Sequence, residues 1–409
     1  MKAKSKRKGN FPPLRFPEFK AEWKRKKLGE VGTIYNGLSG KTRDDFGRGK
    51  KYIQYKQIFE AGQINLNDCG LVNIEDNEKQ NQVQYGDIFF TMSSETPQEI
   101  GMASVLLTKI ENVFLNSFCL GFRLNSFDII TPLFARFLFR SKNVRDIIVK
   151  LAQGSTRYNM SKLELLKVLI NIPDLNEQTK IASFLSLIDE RIQTQMKIIE
   201  EWEKLKKGMI DELFLQKLIL KEFDNEWEEI SIGAIGTVVT GGTPSKKESK
   251  FWGGDFAWVT AQDFTEKYIY NSVLKLTDKG KKKSRTIPRN SVLVTCIASI
   301  GLNGINKVEC AINQQINAII CNPLNYYEFI YYAILANTER LKNLAGQTAV
   351  PIINKSVFEK FTISKPKSLK EQQKIASILS SFDKKLSIER QILAQYQNQK
   401  KYLLQNMFI

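Results

Sequence analysis

Residues 177–192 read EQTKIASFLSLIDERI, and residues 371–386 read EQQKIASILSSFDKKL. Nearly the same sixteen residues are written twice, 194 positions apart. The duplication extends outward from both copies. EFKAEWKRKKLGEVGTIYNG, from Glu18, matches EFDNEWEEISIGAIGTVVTG, from Glu222, with Trp23 on Trp227, Gly29 on Gly233 and Gly37 on Gly241. DIFFT at Asp87 answers SVLVT at Ser291, LAQGST at Leu151 answers LAGQTA at Leu344, and NIP ending at Pro173 answers SKP ending at Pro366. A period of roughly 200 residues is far longer than that of a solenoid and marks duplicated domains.

Each copy has a globular part and a long helix. The globular parts carry β-branched and aromatic runs, DIFFTM and SVLVTC, and Thr131-Pro132 predicts a helix running to about Leu151. DLNE (Asp174–Glu177) and SLKE (Ser368–Glu371) place a capping residue three positions before a glutamate, the pattern that opens a helix. Beyond each cap the apolar positions recur in alternating steps of four and three. The first series is Ile181, Leu185, Ile188, Ile192, Gln195, Ile199, Trp202, Lys206, Met209 and Leu213; the second runs from Ile375 to Met407, with Glu389 and Lys400 at its polar places. That is a coiled-coil seam, in which polar members cost stability and fix register. One reading packs each amphipathic helix on its own domain; the other lets the two seams bury each other. Because the second globular part comes after one helix and before the other, pairing requires antiparallel helices. The seam from Ile181 to Leu213 then spans roughly 50 Å at 1.5 Å per residue. The expected architecture is α+β: mixed α/β domains at 1–173 and 216–366, helices at 174–215 and 367–409, related by an approximate two-fold axis.

The chain of 409 residues is 42% hydrophobic, with no apolar run near the ~20 residues that cross a membrane. The basic start, MKAKSKRKG, lacks an apolar signal core, so a cytoplasmic location is expected. Five cysteines without CxxC spacing read as reduced thiols. No histidine is present, which removes Ser-His-Asp and Cys-His nucleophile systems and most zinc or iron sites.

The net charge is +18, unevenly placed. Residues 1–176 hold 28 basic and 18 acidic side chains, and residues 214–370 hold 21 and 14, whereas 177–213 hold 6 and 8 and 371–409 hold 6 and 3. Two basic modules on near-neutral helices suit a polyanion contacted twice. A spacer of ~50 Å exceeds one ~34–36 Å helical repeat of DNA, so two modules could enter grooves flanking untouched base pairs. The modules differ in their polar loops, LSGKTRDDFGRGKKYIQYKQ against GTPSKKESKFWGGDFAWVTAQD, which implies two different half-sites.

This organisation resembles the specificity subunit of type I restriction–modification systems over nearly the whole chain. The tandem EQ(T/Q)KIAS(F/I)LS helix starts carry the resemblance, with TGGTPSK at 240–246, KKSRTIPRNSVLVT at 282–295 and INQQ at 312–315. The first copy departs from it, with NGLSGKT where the second has TGGTPSK. The resemblance implies two target recognition domains on double-stranded DNA and spacer helices that dock two methyltransferase subunits, joined for cleavage by two translocating endonuclease subunits. It also implies no catalytic site in this chain, with S-adenosylmethionine, ATP and magnesium on the partners.

The loop residues expected to touch DNA are Lys41, Arg43, Tyr52, Gln54 and Gln57 in the first domain. In the second they are Thr243, Ser245, Lys246, Lys247, Gln262, Lys283 and Arg285. Ser155, Thr156, Arg157, Gln314, Gln347 and Thr348 are weaker candidates, and Trp252 and Trp258 read as walls. NGLSGKT is not a P-loop, because the glycine required five residues before Gly40 is Tyr35. The lone Pro-Pro, in FPPL, does not form the Asn/Asp-Pro-Pro-Tyr/Phe motif of an adenine methyltransferase. Two other readings stand beside DNA recognition: a coiled-coil scaffold whose basic domains bind acidic partners, and a single-chain DNA-modifying enzyme.

Overall fold

A computed structural model describes residues 9–75, 77–223, 226–345 and 350–409, so Gln347 and Thr348 lie outside the described residues. The chain forms two compact units, residues up to Gln195 with Ile392–Ile409, and Met196–Gln391. Two long helices, Leu175–Phe214 and Leu369–Asn406, each contribute one half to either unit. Among the described residues no helix is long and apolar enough to cross a membrane.

In the first unit Gly32–Asn36, Cys119–Leu124, Ile88–Thr91 and Ala103–Val105 form an antiparallel sheet in that order. A second sheet places Phe46–Ile53 between Gly70–Val72 and a parallel Val113–Leu115. The strand Lys24–Lys27 pairs with Leu169–Ile172, closing the domain at the foot of the long helix. The second unit repeats this plan. Gly236–Thr240, Ile316–Cys321, Val292–Thr295 and Asn303–Asn306 line up antiparallel, with a parallel edge strand Tyr268–Ile269. Trp252–Val259 lies between Lys275–Leu276 and a parallel Cys310–Ile312, and Trp227–Ser231 pairs with Thr362–Pro366. The run after Thr131 is two helices, Pro132–Leu138 and Lys142–Val149, not one. The break falls at Ser141, the residue before the second helix, whose hydroxyl and amide both donate back to Leu138 O, at 2.7 and 3.1 Å.

The repeated tryptophans explain how each domain grips a helix end. Trp23 packs edge-on against Phe134 and Phe408, with centroids 6.2 and 6.3 Å away. In the second unit Trp227 packs on Phe329 and Phe214, at 6.0 and 6.1 Å. Each domain thus holds the start of its own long helix and the end of the other. The caps form as the sequence predicts: Glu177 N donates to Asp174 Oδ1 at 2.9 Å and Glu371 N to Ser368 Oγ at 3.4 Å. The glutamate carboxylates bind the domains. Arg15 donates twice to Glu177, at 2.7 and 2.6 Å, and Trp227 Nε1 donates to Glu371 at 3.2 Å.

The seam is inward throughout. Ile181, Leu185 and Ile188 share a core with Leu403, Met407 and Phe408 in the first unit; Ile210 and Leu213 share one with Ile375 and Leu379 in the second. In that second unit Lys206 meets Asp383 and Glu203 meets Arg390, so numbering falls along one helix as it rises along the other, and the pairing is antiparallel.

Candidate nucleic-acid interface

The glycines that align at positions 37 and 241 make each loop possible. A Cβ on Gly241 would lie 2.0 Å from Asn313 O, and one on Gly37 would lie 2.1 Å from Asn116 O. Only glycine lets the loop after the first sheet strand pass this close to the turn it meets. Both asparagines shape that turn with their own side chains. Asn313 Oδ1 accepts from Gln315 N at 3.0 Å, and Asn116 Oδ1 accepts from Phe118 N at 2.8 Å. The two units therefore carry one scaffold with different residues at its tip: Gln314 and Gln315 in the second, Ser117 and the exposed Phe118 in the first.

In the second unit this scaffold encloses an open cleft of about 430 Å³, lined among others by Thr243, Lys246, Gln262, Gln314 and Gln315. Three predicted residues and the weaker candidate Gln314 thus meet at one site. Thr243 Oγ1 donates to Gln314 Oε1. Trp258 forms a wall and donates from Nε1 to Gly242 O at 3.1 Å; Trp252, packed edge-on against it at 4.9 Å, donates to Ser245 O at 3.1 Å. The tryptophans thereby hold the TGGTPSK loop, as walls and not as exposed stacking surfaces. Gln262 projects from the turn Ala261–Asp263, where Asp263 Oδ2 accepts from Thr260 N and Oγ1 at 2.8 and 3.0 Å. Arg285 anchors the loop's start, donating to Thr240 O at 2.6 Å. Ser245, Lys247 and Lys283 are exposed and do not line the cleft. Sequence reading missed Gln315, Thr260 and Leu274, all of which line it.

The first unit gathers its predicted residues less tightly. Arg43 is exposed at the start of the short turn Arg43–Asp45, whose Asp45 carboxyl is held below the usual range by hydrogen bonds from the Thr42 backbone and hydroxyl. Lys41 has only 6% of its side chain exposed and is ion-paired with Glu78, whose carboxyl it holds low. Tyr52 packs edge-on against Phe46, at 5.2 Å, beside Gln54. A Cβ on Gly70 would lie within 2.6 Å of both the Tyr52 ring and Gln54 Nε2. Gln57 is buried, its Nε2 3.9 Å from Cys69 Sγ. The helix Tyr55–Glu60 that carries it is held by Arg140, which donates to the carbonyls of Ile58, Phe59, Ala61 and Ala103 at 2.6–3.0 Å. Burial pulls that guanidinium down to about 10. Ser155, Thr156 and Arg157 are exposed, with the Arg157 guanidinium 5.7 Å from the centre of the Phe118 ring.

The chemistry available is binding chemistry. Among the described residues no group of three or more His, Cys, Asp or Glu side chains could hold a metal ion. Burial pushes the thiols of Cys119, Cys296, Cys310 and Cys321 up to about 12, so none is an activated nucleophile.

The sequence matches the family described as type I restriction modification DNA specificity domain twice, over residues 20–204 and 224–398. The putative type I restriction enzyme MjaX specificity subunit of Methanocaldococcus jannaschii is 26% identical over 419 residues, covering 97% of this chain and 95% of that protein. The MjaIX specificity subunit of the same organism is 36% identical over 165 residues, 39% of this chain and 38% of its own length. The HindI specificity subunit of Haemophilus influenzae is 33% identical over 172 residues, 39% and 36% respectively, so this chain spans well under half of these two relatives. Among solved structures, a type I restriction–modification S subunit from M. genitalium superposes with a TM-score of 0.58 at 17% identity, covering 98% of this chain and 99% of that one. A chain from a study of complex assembly and conformational transition of the type I R-M system gives 0.63 at 16% identity, covering 96% and 98%. At these identities the likeness is one of fold: two mixed α/β domains and two long helices. Specificity subunits of these systems recognise DNA and have no catalytic site of their own, catalysis residing on partner modification and restriction subunits. With two family matches that together span most of its length, the chain belongs to the type I restriction–modification DNA specificity family.

Proposed function

We propose that the chain reads a bipartite, asymmetric site in double-stranded DNA, residues 1–173 recognising one half and residues 216–366 the other. In this reading the helices at 174–215 and 367–409 set the separation of the halves and dock two methyltransferase subunits. Two translocating endonuclease subunits complete the complex, in the cytoplasm. S-adenosylmethionine, ATP and magnesium are used by those partners. Arg43, Tyr52 and Gln54 would face one half-site, Gln57 being buried and Lys41 held in its ion pair with Glu78; Thr243, Ser245, Lys246, Lys247, Gln262, Lys283 and Arg285 would face the other.

The observation that carries this reading is the pair of glycine–asparagine contacts at Gly37–Asn116 and Gly241–Asn313. They build one loop scaffold twice and present different side chains on it, as two different half-sites require. An acidic-protein scaffold would not need its loops to diverge on a fixed frame. The test is to exchange Thr243–Gln262 for the corresponding loop of a relative and sequence the methylated sites of cells carrying the variant. One half of the site should change and the other stay as it was. If both halves changed together, the two-module reading would fail.

A further inference from the structure

Among the described residues, the polar lining of the second unit's cleft is amides and hydroxyls with a single cation, Lys246, and neither a carboxylate nor a guanidinium. Its amides sit on turns fixed from behind, by Asp263 under Gln262 and by Asn313 under Gln315. Gln262 is exposed, and none of the described residues makes a hydrogen bond to its side chain. Gln314 is oriented by Thr243.

A primary amide offers one donor and one acceptor in a plane. Adenine presents the complementary pair in the major groove, an N6–H donor and the N7 acceptor, whereas guanine presents two acceptors and suits arginine or lysine. The thymine opposite adenine shows a methyl group. An apolar rim lies beside the amides: Leu274 lines the cleft, and its neighbour Val273 is 73% exposed. Val273 N donates to Asp263 Oδ1 at 2.8 Å, so the apolar rim and the turn bearing Gln262 form one rigid piece.

We propose that Gln262 reads an A·T pair for the second unit in the major groove, its amide on the adenine edge and Val273 and Leu274 against the thymine methyl. This rests on the DNA-recognition reading above and adds which residue of the second unit reads that base pair.

The experiment selects bound duplexes from a fully randomised pool with the full chain, beside Gln262→Leu and Gln262→Arg variants. The wild-type pool should be enriched for an A·T pair at one position of one half-site. Gln262→Leu should relax the preference there by about 5- to 150-fold, the discrimination of one bidentate amide–base pair, and leave the other half-site intact. Gln262→Arg should move it toward G·C. Replacing that adenine by 7-deazaadenine, which lacks the N7 acceptor, should weaken wild-type binding, and 3-deazaadenine, altered only in the minor groove, should not. A pool with no enriched sequence would overturn the recognition reading and this inference with it. An enriched bipartite sequence whose Gln262-sensitive position is G·C, or equal indifference to both deaza bases, would overturn this inference alone.

Discussion

Lys206 donates to Asp383 at 2.5 Å, and the residues 194 positions away in each case, Lys400 and Asp189, make the same bond at 2.5 Å in the other unit. Each aspartate also takes a donor from its own domain, Arg136 to Asp189 at 2.6 Å and the Tyr332 hydroxyl to Asp383. The two seam lysines therefore belong to three-way ties between two helices and a domain. Asp383→Ala strands Lys206, 17% exposed at its side chain, and removes one acceptor from the buried Tyr332 hydroxyl, which keeps Ser380 and Lys267 as partners. A loss of about 1–3 kcal/mol is expected in urea unfolding, the cost of unsatisfied buried polar groups. Lys206→Met should cost less, because Asp383 keeps the Tyr332 donor and the seam gains an apolar side chain. Equal losses from the two variants would show that the Tyr332 bond contributes nothing.

The EQ dipeptide that opens both repeats has a structural task for its second member. Gln178 Nε2 donates to Ile129 O and Pro173 O, at 2.7 and 3.0 Å, and its Oε1 accepts from Thr131 N at 2.9 Å. Gln372 does the same with Leu324 O, Pro366 O and Tyr326 N, at 3.3, 2.9 and 2.8 Å. Both side chains latch a helix start to the loop before the domain's own helix. Gln178→Leu or Gln372→Leu leaves one buried and two part-buried backbone groups without this partner, and should lower stability by about 1–3 kcal/mol. The checking measurement is a thermal melt, in which the two substitutions should have similar effects. Indifference to either would mean that water replaces the latch.

Glu328 accepts from Tyr268 at 2.8 Å, Lys267 at 2.9 Å and Ser380 at 3.1 Å. Burial acts to raise this carboxyl, but the bonds from Lys267, Tyr268 and Ser380 outweigh it and hold the group below its ordinary value. Burial likewise pulls the Lys267 ammonium down. A carboxyl depressed in the folded state contributes stability above its unfolded pKa and loses it as the pH falls through the folded value. The second unit should accordingly weaken as the pH drops below about 4.3, the free glutamate value. Glu328→Gln should be less stable at pH 7 and show a shallower acid dependence. Parallel pH profiles for wild type and variant would show that Glu328 does not set the acid dependence.

The range of each interaction decides whether the sequence reveals it. The seam, the caps and the duplicated frame depend on residues within a turn or two of each other, or on self-similarity, and both are visible in a string of letters. Thr243, Lys246 and Gln262 were readable as polar loop residues, and the fold brings them to one cleft. Lys41 reads as an exposed loop cation, but Glu78 reaches it from 37 positions away. Gln57 reads as surface, but its helix turns it onto Cys69. Arg140 and the latch glutamines act on backbone carbonyls, which carry no sequence signal. The repetition of EQ was a clue to the glutamines; Arg140 left none.

The proposed ruler can be tested through the seam itself. One heptad inserted after Gln195 and another after Glu389 keeps every seam residue facing inward, because seven residues are two turns of a 3.5-residue repeat. Each helix lengthens by about 10 Å, or about three base pairs at ~3.4 Å per pair. If the helices set the distance between half-sites, the variant should recognise the same two half-site sequences across a longer gap. Three pairs also rotate the groove by roughly a third of a ~10.5-pair turn, so weaker methylation at the new gap is expected. Sequencing the methylated sites of cells carrying the variant with its methyltransferase partner would show the gap directly. Robust methylation at the original gap would mean that the partner subunits, not the paired helices, place the recognition domains on DNA.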